Sequence, residues 1–243
     1  MKPYNGIEFV WGGTWLRSHR KYMQPIIKTV LGLTEDITGD LGVEPRTSKR
    51  AAIYQCSRTW PTSGESYDQT KFDLNYPADR IARRKIARSD LEIIDSVQYA
   101  FHELLHCVRF ETHQVDSLLE YAASEGISYL GATLAASILD GERVFDAFGI
   151  AANFTQSFRN SLLDKLLIDE QSNNGDDKPG TGPKFEEWFE VSDKKQELPL
   201  GPILGMLSVV DLYYQGMAFG EIITLPAERI MFAGVRLGNE AAA

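Results

Sequence analysis

The sequence predicts an α+β fold, with a small N-terminal α/β part carrying a short sheet packed on a mainly helical C-terminal part. Three observations predict it. β-prone runs are concentrated before residue 88, helical periodicity dominates from Ser89 onward, and no internal repeat divides the 243 residues. A single domain is therefore expected, with the α/β part over about 1–88 and the helical part over about 89–238. With 43% apolar and 24% charged residues, the composition is ordinary for a globular chain, and the length suffices to bury a sizeable core.

IEFVW (7–11) reads as a short strand. Leu16, Met23, Ile26, Ile27, Val30 and Leu33 then recur at helical spacing, which predicts a helix from 15 to about 41 that stops at Gly42. AAIYQCS (51–57) and KFDLNYP (71–77) are β-prone, and Phe72, Leu74 and Tyr76 alternate in the second. The two are expected to pair antiparallel across the turn-rich PTSGESYD connection. RIARRKIAR (80–88) reads as the solvated start of a helix or a loop.

Ser89 is a plausible N-cap, with Asp90 and Glu92 in the first turn, where carboxylates meet the positive end of the helix dipole. Ile93, Ile94, Val97, Phe101, Leu104, Leu105 and Val108 continue an apolar stripe to about Phe110. Further helices are predicted over 115–139, 144–170, 184–190, 201–217 and 226–236, and QSNNGDDKPGTGPK (171–184) reads as a surface loop.

Charge and hydropathy narrow the function classes. A net charge of −9 argues against a nucleic-acid partner, because phosphate binding relies on clustered Lys and Arg. No apolar run has the length of a signal peptide or a membrane span, so no membrane partner and a cytoplasmic location are expected. Cys56 and Cys107 are expected to be reduced, mostly buried thiols.

Three of the four histidines lie in FHELLHCVRFETH (101–113). His102 and His106 project from neighbouring turns of one helix face, about 6 Å apart along the axis, so both imidazoles can reach one ion. Glu103 is rotated from His102 by roughly 100°, which makes it a poor ligand but places it within reach of a water held by the same ion. This is the HExxH logic of two ligands and a general base on one helix.

A catalytic zinc usually takes three protein ligands, so one is missing. In the extended HExxHxxGxxH pattern the third histidine falls at 112 and a turning glycine at 109; here Thr112 and Arg109 stand there. His113 is one residue late and reads as a loop histidine. The alternative is a carboxylate on a returning helix, which offers Asp116, Glu120 and Glu125. Spacing favours Glu125, since 18 residues separate it from His106, enough for a helix end, a turn and two returning turns. Its neighbours Ala122, Ala123, Ser124 and Gly126 are small enough for the two helices to approach closely around the ion. Glu120 lies about 140° around the helix from Glu125 and reads as a solvated surface acid or an outer partner of the site.

HELLHCVR followed by LLEYAASEGISYL resembles the YjaZ-like predicted zinc-dependent protease family, whose pattern is a HExxHxxR helix and then a second helix containing Glu-Gly. FEEWF and ELPLGPILG extend the resemblance over about residues 70–235. It implies a zincin-like fold and a gluzincin-type metallopeptidase acting on a peptide or protein substrate. His102, His106 and Glu125 would be the Zn2+ ligands, Glu103 the catalytic base, and Arg109 a group that pairs with an acid or orients a substrate carboxylate.

The chain departs from the family at two places. A Gly-Tyr is expected where Gly201-Pro202 stands, which leaves Tyr213 and Tyr214 as substitutes for stabilising the oxyanion. Ser128-Tyr129 occupies the place where larger gluzincins carry a further acid, so Asp116 or a backbone carbonyl is expected to orient a ligand histidine. An extended peptide is expected to bind along KFDLNYP as an exposed edge strand. The rival readings are a metal-binding protein without turnover and a metal-free binding or scaffold domain.

Overall fold

The computed structural model describes residues 7–44, 49–55, 62–64, 71–76, 90–113, 117–153 and 200–231. The β-prone runs form β1 (Ile7–Trp11), β2 (Lys49–Gln55) and β4 (Lys71–Tyr76), and a further short strand, β3 (Thr62–Gly64), arises within the connection before β4. Together they make one four-stranded sheet of order β1-β2-β4-β3.

β1 pairs parallel with β2, with Ile7 opposite Lys49 and Trp11 opposite Ile53. β2 pairs parallel with β4, from Arg50 opposite Lys71 to Gln55 opposite Tyr76. The antiparallel pairing expected between these two strands is therefore wrong. The chain reverses earlier than expected, at β3, which takes the antiparallel place beside β4, with Ser63 opposite Leu74. β4 is paired on both sides, so KFDLNYP is not an exposed edge, and the peptide-binding role expected of it falls. The alternation of Phe72, Leu74 and Tyr76, all buried, fits an internal strand with one apolar face.

The helical spacing after β1 yields α1 (Arg17–Asp40), which buries Met23, Ile27, Val30, Leu31 and Ile37. It stops at Gly42, whose φ of +65° suits a residue without Cβ. There the Val43 N–H bonds the Thr38 carbonyl at 2.8 Å and the Gly42 N–H bonds the Gly39 carbonyl at 3.1 Å, the Schellman pattern of helix ends.

α2 (Asp90–Phe110) and α3 (Leu118–Leu139) follow the predicted pair closely. Ser117 caps α3, its hydroxyl accepting from the Glu120 N–H at 3.1 Å. α4 (Leu200–Tyr214) and a single turn, α5 (Phe219–Ile222), complete the labelled elements, with further helical turns at 144–153 and 227–231. The basic run 80–88, Ser89, Cys56, Asp116 and residues 154–199, including the predicted helix 184–190, lie outside the described residues. Among the described residues no helix is long and apolar enough to cross a membrane.

α2 is the central element. It packs on the sheet through β4 and β3, on α1, and on α3, while α3 packs in turn on α4. The close approaches use glycines. A Cβ on Gly131 would collide with Leu105 of α2, and one on Gly126 would lie 2.6 Å from the Gly205 Cα of α4. Gly126 thus serves the contact with α4, whereas the expectation had it facing the histidine helix. Gly131 lets α3 close on α2, and Gly126 lets it close on α4.

Candidate metal centre

α2 buries Phe101, Leu104, Leu105 and Val108 in the core, while His102 and His106, one turn apart, face α3. α3 runs back antiparallel. Moving toward the α2 N-terminus, Arg109 meets Glu120, His106 meets Ser124 and Glu125, and His102 meets Glu125 and Tyr129. The pairing follows from a short reversal after Phe110 and the cap at Ser117.

Ligand atoms of three residues converge there. His102 Nε2 and His106 Nε2 are 3.1 Å apart, His106 Nε2 is 3.5 Å from Glu125 Oε1, and His102 Nε2 is 3.8 Å from Glu125 Oε2. A tetrahedral ion with bonds of ~2.0–2.1 Å holds neighbouring ligand atoms about 3.3 Å apart. The approach of the two rings and that of each ring to its nearer carboxylate oxygen lie around that value. Among the described residues this is the one group of three or more His, Cys, Asp or Glu side chains near enough to share an ion, and all its candidate ligand atoms lie within 4.8 Å of one another.

Burial decides the protonation of the histidines. It drives the His102 pKa down to about 4, with a backbone contact at Ser128 opposing the shift. His106 is held well below its ordinary value by burial first, then by His102 and Arg109. Both rings are neutral at pH 7, so the two contacts to Glu125 are not ion pairs. Neutral imidazole is the metal-binding form.

Each ring is held on more than one side. His106 Nδ1 lies 2.8 Å from the buried Ser124 hydroxyl, and its face stacks on Phe110 with centroids 5.9 Å apart. His102 sets an edge against Tyr129 at 4.8 Å. Its Nε2 faces His106 and Glu125, which leaves Nδ1 as the nitrogen turned to the Ser128 backbone. The expectation of an orienting backbone carbonyl thus has a counterpart in Ser128; Asp116, the other candidate, lies outside the described residues. Glu103 is buried on the same helix, 5% exposed, and is not one of the three converging groups.

One turn beyond His106, Arg109 is only 1% exposed. Its Nε lies 2.5 Å from Glu120 Oε1, and its Nη1 donates to the carbonyls of Ile223 at 2.9 Å and Leu225 at 3.0 Å. Of the two roles suggested for Arg109, the structure shows the pairing with an acid. Glu120 is correspondingly no solvated surface acid; it is buried, because its place in the first turn of α3 lies against Arg109. Burial pushes the Glu120 pKa up and the Arg109 pKa down, each opposed by the attraction of its partner.

His113 follows the end of α2 and hydrogen-bonds the Thr112 hydroxyl at 2.7 Å, as expected of a loop histidine. Tyr213 stacks flat on Phe148, with centroids 3.5 Å apart, and Tyr214 is half-exposed with its ring edge-on to Phe145. These contacts describe an aromatic cluster; the tyrosine ring against the histidines is Tyr129. Sequence reasoning gave Tyr129 and Ser124 no role at the site. Tyr129 carries a signal, since it lies four residues after Glu125 and so on the same helix face. Ser124 has none beyond its place beside Glu125.

No family model, curated protein or solved structure matches this chain.

Proposed function

We propose that the chain is a zinc-dependent metallopeptidase of the gluzincin type, as the resemblance to the YjaZ-like family implies. The observation that carries the reading is the convergence of two neutral histidine nitrogens and a carboxylate in a buried site, at separations suited to a tetrahedral ion. The donor set of two imidazoles and one carboxylate fits zinc, and three protein ligands leave the fourth position to chemistry. Bound there, the ion supplies Lewis-acid polarisation of a carbonyl and lowers the pKa of water toward ~7.

His102, His106 and Glu125 would hold the ion, and Glu103, beside the first ligand, would accept the proton of the attacking water. As the water oxygen added to the scissile carbonyl carbon and the C–N bond broke, Glu103 would return that proton to the leaving amine. Among the described residues β3 is an edge strand, beside β4 and near α2, and an extended peptide would pair there. That edge takes the place first given to KFDLNYP. Tyr213 and Tyr214 gain no support as oxyanion groups from their contacts with Phe148 and Phe145.

The test is Glu103→Gln, assayed for zinc content and for hydrolysis of an unfolded protein substrate. The variant is expected to keep one zinc per chain and lose at least about 100-fold in rate. Unchanged hydrolysis would remove Glu103 as the base. Zinc binding without hydrolysis in the unaltered protein would favour a metal-binding protein without turnover, and no zinc would favour a metal-free domain.

A further inference from the structure

We infer that the Ser124 hydroxyl is the positioning group for His106, doing through a neutral side chain what a carboxylate often does for a metal-binding histidine. The inference rests on the metal-site reading above and adds to it a residue that no motif marks.

An ion on Nε2 would fix the tautomer. His106 Nε2 faces His102 Nε2 at 3.1 Å and Glu125 Oε1 at 3.5 Å, so it is the nitrogen available to an ion. A neutral imidazole with a free lone pair on Nε2 carries its proton on Nδ1. Nδ1 lies 2.8 Å from Ser124 Oγ, which is therefore the acceptor of that proton. Ser124 is 1% exposed, so no bulk water competes for the bond. The ring cannot easily rotate away either, because Phe110 covers one face and His102 meets it edge-on.

Ser124 and Glu125 are neighbours on α3, so one helix supplies both the third ligand and the group that orients the second. The Ser128 backbone beside His102 belongs to the next turn of the same helix. α3 thus orients both imidazoles, and only at His106 does it do so through a replaceable side chain. A hydroxyl acceptor makes the imidazole less electron-rich than a carboxylate would, but it adds no negative charge to a buried site that already holds Glu125.

The test measures zinc affinity by competition with a chromophoric chelator for the unaltered protein, Ser124→Ala, Ser124→Thr and Ser208→Ala. Ser208 is an equally buried hydroxyl that donates to the Leu204 carbonyl of its own helix, and its loss controls for removing a buried hydroxyl. Ser124→Ala is expected to weaken zinc binding about 10- to 100-fold, with Ser124→Thr restoring most of it and Ser208→Ala unchanged. In the zinc-loaded unaltered protein, ring nitrogen NMR is expected to show His106 protonated at Nδ1, a readout that needs no variant to fold. Equal affinity in folded Ser124→Ala, or His106 bound through Nδ1, would overturn the role of Ser124 while leaving the metal site standing. Absence of zinc binding by the unaltered protein would overturn both.

Discussion

The antiparallel pair α2 and α3 carries two buried polar clusters barely one turn apart, and they are built on opposite principles. At the Arg109 end a cation meets its counterparts: Glu120 lies against Nε, and the carbonyls of Ile223 and Leu225 accept from Nη1. At the histidine end two neutral imidazoles meet one carboxylate, with no cationic side chain among the three. One cluster contains its own cation; the other brings three groups near enough to share one. The lesson is that burial alone does not separate a structural polar site from a functional one. The balance of donors and acceptors does.

The sharpest way to break the comparison is at the closed end. For Arg109 and Glu120, burial shifts both pKa values toward the neutral forms against the pull of the partner, so the pair is not a large net stabiliser in itself. Removing one member is different, because the other stays buried and unmatched. Arg109→Ala is expected to cost about 3–5 kcal/mol in chemical denaturation, and Arg109→Met with Glu120→Leu to recover most of that loss. A cost below about 1 kcal/mol for Arg109→Ala would mean that this cluster does not tie α2, α3 and the 223–225 segment together.

Acid should then act at the histidine end. His102 has an ordinary value of 6.5 and a folded value of about 4. Between those values the unfolded chain binds more protons than the folded one, so stability falls as pH drops from 6.5 toward 4. At full extent this costs roughly 3 kcal/mol in metal-free protein. Denaturation curves at stepped pH measure it, and His102→Gln is expected to flatten the slope over that window. An unchanged slope would place the acid sensitivity elsewhere.

The smallest effect is expected from matched amides. Glu125→Gln gives the histidine end a donor among its acceptors and should change metal-free stability by less than about 1 kcal/mol. Glu120→Gln removes charge from a buried ion pair and should cost more. The reverse order would contradict the contrast between the two ends.

Much of this pair was legible in the sequence. The helical stripe and the His102–His106 spacing placed both rings on one face, and the interval to Glu125 allowed the returning helix to bring it back. The burial of Glu120 was not legible, because an angle around one helix does not say what the neighbouring helix presents, and here that is Arg109. The sheet was harder. β-propensity located β2 and β4, but their parallel pairing depends on a three-residue strand, β3, too short to leave a period-2 signal. Ser124 read as a small residue, since its hydroxyl gains meaning only once His106 lies against it.

The central claim is that the histidine end takes one divalent cation, and direct zinc titration of chelator-treated protein tests it. The account predicts saturable binding of one zinc per chain, abolished or greatly weakened by Glu125→Gln and by His106→Ala but kept by Glu103→Gln. Absence of saturable binding, or binding untouched by the change at Glu125, would contradict it.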